Sequence, residues 1–241
     1  MFRHKGRRRT YKHDLLLASL LSFIAGLVNI SGVLSVKTLT TNVTGHFAYF
    51  AEELVNERYR NALLYVAFIL FFLLGAFLSN FLIESVSRLN SAFSNSGPMT
   101  IEVLILTIVA FQRPPDTLTS ANGHLIAFAL LFAMGIQNSL VTQVSQSTVR
   151  TTHLTGLFTD LGIELSQLFF YRRPSDLKKL SRSIYLRLSI IFFFFSGCVT
   201  GGFLFHAFQL KTLLIAAAFL SAIFIYDNLR YRFYSFKRKY R

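Results

Sequence analysis

The residues best placed to do chemistry stand in two short stretches of similar sequence. Thr152-His153-Leu154-Thr155-Gly156 opens a segment that carries Asp160 and Glu164, and Thr41-Asn42-Val43-Thr44-Gly45-His46 opens one that carries Glu52 and Glu53. At an offset of 111 residues, Thr41, Thr44, Gly45, Phe47, Glu53 and Leu54 each meet an identical partner, six matches in fourteen positions. Such self-similarity marks an internal duplication. In each copy a polar Thr-Gly turn leads into a helix bearing a carboxylate about two turns in. A threonine ahead of a helix can accept from the free amides of the first turn. Left open, those amides and the helix dipole attract an anion. For one turn alone the plainer reading is a capped helix end; two turns at equivalent places of a repeat bring a binding reading level with it.

The carboxylates suggest a second chemistry. Placed at bilayer depth, Asp or Glu must face protein, water or a partner, and there it can carry a proton or hold a cation. Asp160 and Glu164 are favoured over Glu53 and Glu52, which stand a few residues before Glu57-Arg58 and so fit a helix ending at the head groups. Asn29, Gln137 and Asn138 lie deep in apolar runs, where they line a path or tie helices together. His46 and His153 flank the turns and carry the side-chain type that could act as a switch near neutral pH, but no third or fourth ligand at suitable spacing accompanies them, so no metal site is expected. Arg150, just before the second turn, is the cation placed to meet an anion. The candidate binding set is therefore Asn29, Thr41, Asn42, Thr44, Gly45, His46, Gln137, Asn138, Thr152, His153, Thr155 and Gly156, with Asp160, Glu164 and Glu53 as proton-coupling groups. No nucleophile elbow, phosphate loop or HExxH motif occurs, so catalysis and a cofactor are not expected.

Those residues need a scaffold, and the composition specifies it. Of 241 residues 53% are hydrophobic and 15% charged, with a mean hydropathy of +0.48. This is far more apolar than a soluble domain of that length. The expected fold is all-α, a polytopic membrane protein of six to eight helices built from two related halves. The net charge of +14 argues for membrane orientation and anionic head groups rather than nucleic acid, because the cations flank apolar runs. Cys198 is the single cysteine, so no internal disulfide can form. Spans are expected at Leu15–Val36, Asn61–Ile83, Gly123–Val144 and Ile184–His206, with shorter ones at Pro98–Gln112 and Thr212–Asp227. The chain divides into a basic terminus 1–14, a first membrane repeat 15–118, a second 119–228 and a basic tail 229–241.

The repeat helices Thr44–Val55 and Thr155–Tyr171 decide the topology. If they cross, eight spans place 21 Lys/Arg on the cytoplasmic side and 4 outside; if they do not, six spans split them 20 to 5. The positive-inside rule thus sets both termini in the cytoplasm but leaves the span count open. Eight spans would make the halves parallel repeats and six would invert them, and transporters use both arrangements. The duplication extends to Gly26-x-x-Asn29 with Gly135-x-x-Asn138, at an offset of 109, and to Gly75-x-x-x-Ser79 with Gly197-x-x-x-Gly201, at an offset of 122. Small residues four apart let helices approach closely in lipid, and packing is the preferred reading of them.

Thr44-Gly45 after Asn42, the run Ala133-Met134-Gly135-Ile136-Gln137-Asn138, and Thr151-Thr152-His153-Leu154-Thr155-Gly156 resemble the signature segments of the YoaK-like family, bacterial inner-membrane proteins of unassigned function. The resemblance runs from about Leu15 to Asp227 and departs at His46, where the family commonly has asparagine after the glycine. It implies a multi-pass inner-membrane protein and supplies no reaction. The expected function is secondary transport or channelling of a small anionic or zwitterionic solute between the repeats. The alternative is a membrane scaffold or sensor binding a partner or anionic lipid through Phe233 to Arg241. The bilayer and the solute are the expected partners, and the oligomeric state is left open.

Overall fold

The computed structural model describes residues 10–90, 95–113 and 121–239, which form eight α-helices and no strand. The basic run Arg3 to Arg9, the expected boundary between the halves at 118/119, and the side chains of the basic tail from Arg230 onward lie outside the described residues. The first half contains α1 (Tyr11–Val36), α2 (Val43–Val55), α3 (Tyr59–Asn90) and α4 (Ser96–Ala110). The second contains α5 (Ala121–Ser145), α6 (Leu154–Gln167), α7 (Pro174–Phe208) and α8 (Leu213–Lys239), with a 3-10 turn at Gln209–Thr212 between the last two. Pro174 takes the first position of α7, where its missing N–H costs nothing. Gln209, at φ 53, divides the otherwise continuous helical stretch from Pro174 to Asp227 into two arms.

The halves interlock. α1 packs most extensively on α7, and α3 on α5, so each half's first helix lies against the other half's third. The reason lies in four glycines. A methyl on Gly26 would overlap the Phe194 carbonyl oxygen, and one on Gly197 would overlap that of Phe23. In the other pair, Gly75 faces the Phe132 carbonyl and Gly135 the Phe72 carbonyl in the same reciprocal way. Gly26 and Phe23 map onto Gly135 and Phe132 at the 109 offset, and Gly75 and Phe72 onto Gly197 and Phe194 at the 122 offset. One interface is therefore built twice. Both pairs run parallel, since Phe23, Leu27 and Ile30 meet Gly197, Gly201 and Gly202 in rising order. Phe68, Gly75 and Asn80 likewise meet Phe128, Phe132 and Gln143. Such close backbone contact is how apolar helices associate where lipid offers no hydrophobic drive.

α1 and α5 are central, each 61% buried over its apolar stretch, whereas α3 is 22% buried. The outer faces of α3 and α7 carry exposed Leu63, Leu73, Phe77, Phe192, Phe195 and Phe203. A surface of that kind on a soluble protein would aggregate; on this one it faces lipid. α1, α3, α5 and the stretch Pro174–Asp227, which takes in α7 and most of α8, are long and apolar enough to cross a bilayer, and α4 is a shorter apolar helix. This is an all-α polytopic membrane protein. α2 and α6 are shorter, at 13 and 14 residues. Each folds back as an antiparallel hairpin, α2 on α3 and α6 on α7.

Candidate functional site: a cavity between the two Thr-Gly turns

The two central helices end alike. Lys37 after α1 and Gln146 after α5 both adopt positive φ, at 50° and 52°, and at equivalent positions of the repeat. The chain then doubles back along each helix and is fastened by an asparagine. Asn29 Oδ1 accepts from the Thr41 hydroxyl at 3.0 Å and the Thr40 amide at 3.2 Å. Asn138 Oδ1 accepts from the Thr152 hydroxyl at 2.8 Å. Each clamp uses the carbonyl end of the amide, and the Nδ2 donors of both asparagines make no hydrogen bond among the described residues.

The two turns meet on one cavity of about 680 Å³. Asn29, Thr41, Asn42 and Thr44 line it from the first half, and Asn138, Thr152, His153, Thr155 and Gly156 from the second, with Arg150 also in the wall. Phe72 and Phe194, equivalent residues of α3 and α7, complete its apolar part. Nine of the twelve binding residues expected from sequence are thus brought together. The volume and the few converging polar groups are those of a small-molecule site.

Three expected residues stand elsewhere. His46 is 2% exposed, bonds the Leu39 carbonyl through Nε2 at 2.9 Å, and packs against Tyr65 and Phe68. Its role is to seat α2 on α3. Gln137 is buried and donates to the Leu21 carbonyl at 2.8 Å, tying α5 to α1. Gly45 lies beside its cap residue, and a methyl there would meet nothing closer than 3.6 Å.

The helix starts differ in a way the repeat conceals. Thr44 and Thr155 fall inside the first turns rather than at the caps, which are Asn42 and His153. Asn42 accepts from the Gly45 amide at 3.2 Å and so closes the α2 terminus. The His153 side chain makes no cap bond, and its ring lies over Gly156, where a methyl would collide with it. Leu154, Thr155 and Gly156 line the cavity, so the α6 start, with its partial positive charge, stands at the cavity without a side-chain cap. Arg150 is exposed beside them and makes no ion pair among the described residues.

The expected proton-coupling carboxylates are held in ion pairs. Glu164 accepts from Arg187 Nε at 2.8 Å, from Arg187 Nη2 at 3.0 Å and from the Ser183 hydroxyl at 2.6 Å, while Asp160 accepts from Arg187 Nη1 at 2.9 Å. Glu53 sits 3.4 Å from Arg58 and accepts from Asn61. Arg187 is the residue that sequence reasoning missed. In the chain it is one more cation of a basic segment, and only the α6–α7 hairpin sets it opposite both carboxylates. A second cavity of about 310 Å³, lined by Asp160, Ser183 and Arg187, shares Arg150, His153 and Gly156 with the first.

Comparison with curated proteins and with solved structures returns no match. Residues 17–226 match the sequence model of a family described as a protein of unknown function, DUF1275, and because that match takes in most of the chain, the protein belongs to this family.

Proposed function

We propose that the protein is a transporter or channel of the bacterial inner membrane, with both termini in the cytoplasm, for a small anionic or zwitterionic solute. Its site is the cavity between the two Thr-Gly turns. The observation that carries this reading is the convergence of both turns, and of both asparagines behind them, on that single cavity. Two free amide groups, the uncapped α6 start and Arg150 supply donors there that favour a carboxylate or phosphate. On its signature runs the chain falls with the YoaK-like members of its family.

We further read the topology as six spanning arms with α2 and α6 as half-helices, which inverts the two halves. Length alone does not separate α2 and α6, at 13 and 14 residues, from α4, at 15, but α4 is an apolar helix, whereas α2 and α6 carry Glu52, Glu53, Asp160 and Glu164 and fold back on α3 and α7. The Gln137–Leu21 bond supports opposite directions for α1 and α5. The residue equivalent to Leu21 is Leu130, so in parallel halves Gln137 would lie seven residues too far, about 10 Å along the axis. Half-helix starts facing each other near the midplane are a recurrent transporter design.

The test is a thermal-shift screen of the detergent-purified protein against inorganic phosphate, mono- and dicarboxylates and amino acids. A solute that raises the melting temperature should lose about tenfold in affinity in Arg150→Gln, one charge-assisted contact being worth about 1.4 kcal/mol. A shift unchanged in Arg150→Gln and Thr155→Val removes the cavity from the reading. The scaffold alternative predicts that deleting Phe233 to Arg241 abolishes partner or lipid binding.

A further inference from the structure

The carboxylate set apart by the structure is one that no motif marks. α4 buries Pro98, Met99, Glu102, Leu106, Val109 and Ala110, a single stripe at helical spacing. Glu102 is 0% exposed within it, and neither carboxyl oxygen has a hydrogen-bond partner. Asp160, Glu164 and Glu53, by contrast, are all matched to arginine.

An ionised carboxylate in such a place would cost several kcal/mol with nothing to offset it. The group is therefore carried neutral, as the acid. Leucine or methionine would fill the same stripe without stranding a polar group, so packing does not account for it. The second half offers no counterpart, since α8 has no carboxylate before Asp227. Unpartnered oxygens also occur on two elements packed against α4: Gln137 Oε1 on α5 and Thr212 Oγ1 in the 3-10 turn. The described charged or titratable side chains on the elements around α4 are His124 on α5, Lys211 in the turn, Tyr226 and Asp227 on α8, and Glu84 and Arg88 at the near end of α3. None of them bonds the Glu102 carboxyl.

We propose that Glu102 is a proton-carrying site, a neutral acid sealed in the helix core that exchanges its proton when the helices around α4 part. It goes beyond the solute cavity and depends on the transport reading only for the use to which the proton is put.

The test is reaction of the full chain, in native membranes, with N,N′-dicyclohexylcarbodiimide, an apolar reagent that partitions into the bilayer. The acid adds across one C=N bond, its proton going to nitrogen and its oxygen to the central carbon. Acyl transfer from oxygen to nitrogen then gives a stable N-acylurea, with no leaving group and no redox change. Mass spectrometry should place one adduct on Glu102. The yield should fall as pH rises, about tenfold per unit beyond the group's own midpoint. Glu102→Gln, shown by gel filtration to be folded, should abolish the adduct. A water-soluble carbodiimide should spare Glu102 while modifying exposed carboxylates. An unmodified Glu102 in the wild-type chain, or modification indifferent to pH, overturns the proposal. The solute screen fails or succeeds separately: an adduct without any solute shift leaves the proton site and removes the transporter, and a solute shift without an adduct does the reverse.

Discussion

Arg187 binds two carboxylates, and this changes what those carboxylates can do. Its side chain is 23% exposed and that of Glu164 13%, so the bidentate pair is partly shielded from water and worth more than an ordinary surface bridge. α6 buries only Leu157 and Leu161, which makes the pair a principal fastening of that helix. In Arg187→Gln, hydrogen exchange of the amides in 154–167 should rise about tenfold, equivalent to roughly 1.4 kcal/mol of local stability. Unchanged exchange would show that the two leucines hold α6 unaided. The glycines sort by what surrounds them. Gly135→Val, whose side chain would enter the Phe72 carbonyl, should destabilise the detergent-solubilised protein by about 3 kcal/mol. Gly162→Ala, with nothing within 4 Å, should leave it unchanged or about 0.5–1 kcal/mol more stable, both read as melting temperatures.

Among the elements, the spanning helices were legible because a long apolar run is a strong signal. The expected Leu15–Val36, Gly123–Val144 and Pro98–Gln112 correspond to α1, α5 and α4 with shifts of a few residues. α2 and α6 were legible for a different reason, the repeat itself, since hydropathy does not mark them. Their status as half-helices has a direct test in Cys198→Ser protein carrying single cysteines at Asn56 and Asn61. An impermeant thiol reagent should label both from outside intact cells if α2 runs from mid-membrane to the outer face. Protection until the cells are permeabilised would restore eight spans and parallel halves. The Cys198 thiol donates to the Gly26 carbonyl at 3.3 Å, and serine can keep that bond.

For the whole molecule, interlocking bears on the transport proposed above. Because α1 belongs with α7 and α5 with α3, the pairs that can move as units mix the two repeats, and the cavity lies where the pairs meet. Rocking one pair against the other would open the cavity to alternate sides while preserving both close-packed glycine interfaces. The Gln137–Leu21 bond and the α4–α8 contact, which cross between the pairs, are the contacts such a motion must rearrange. Glu102 lies on α4, at the boundary that such a motion would open.

By itself the sequence determined the class of protein, the positions of the spanning helices, the duplication and most of the cavity lining. These follow from hydropathy, charge placement and self-similarity, which are properties of the chain read in order. The tertiary structure decided which helices pair, which polar residues face the cavity and which carboxylate stands alone. His46 and Gln137 have the same composition signal as Asn138, and only packing shows that the first two are spent on holding helices together. Glu102 is one charge in an apolar run, indistinguishable on paper from a residue near a helix end. Its meaning comes from having no partner, and a missing partner is a fact about neighbours distant in the chain.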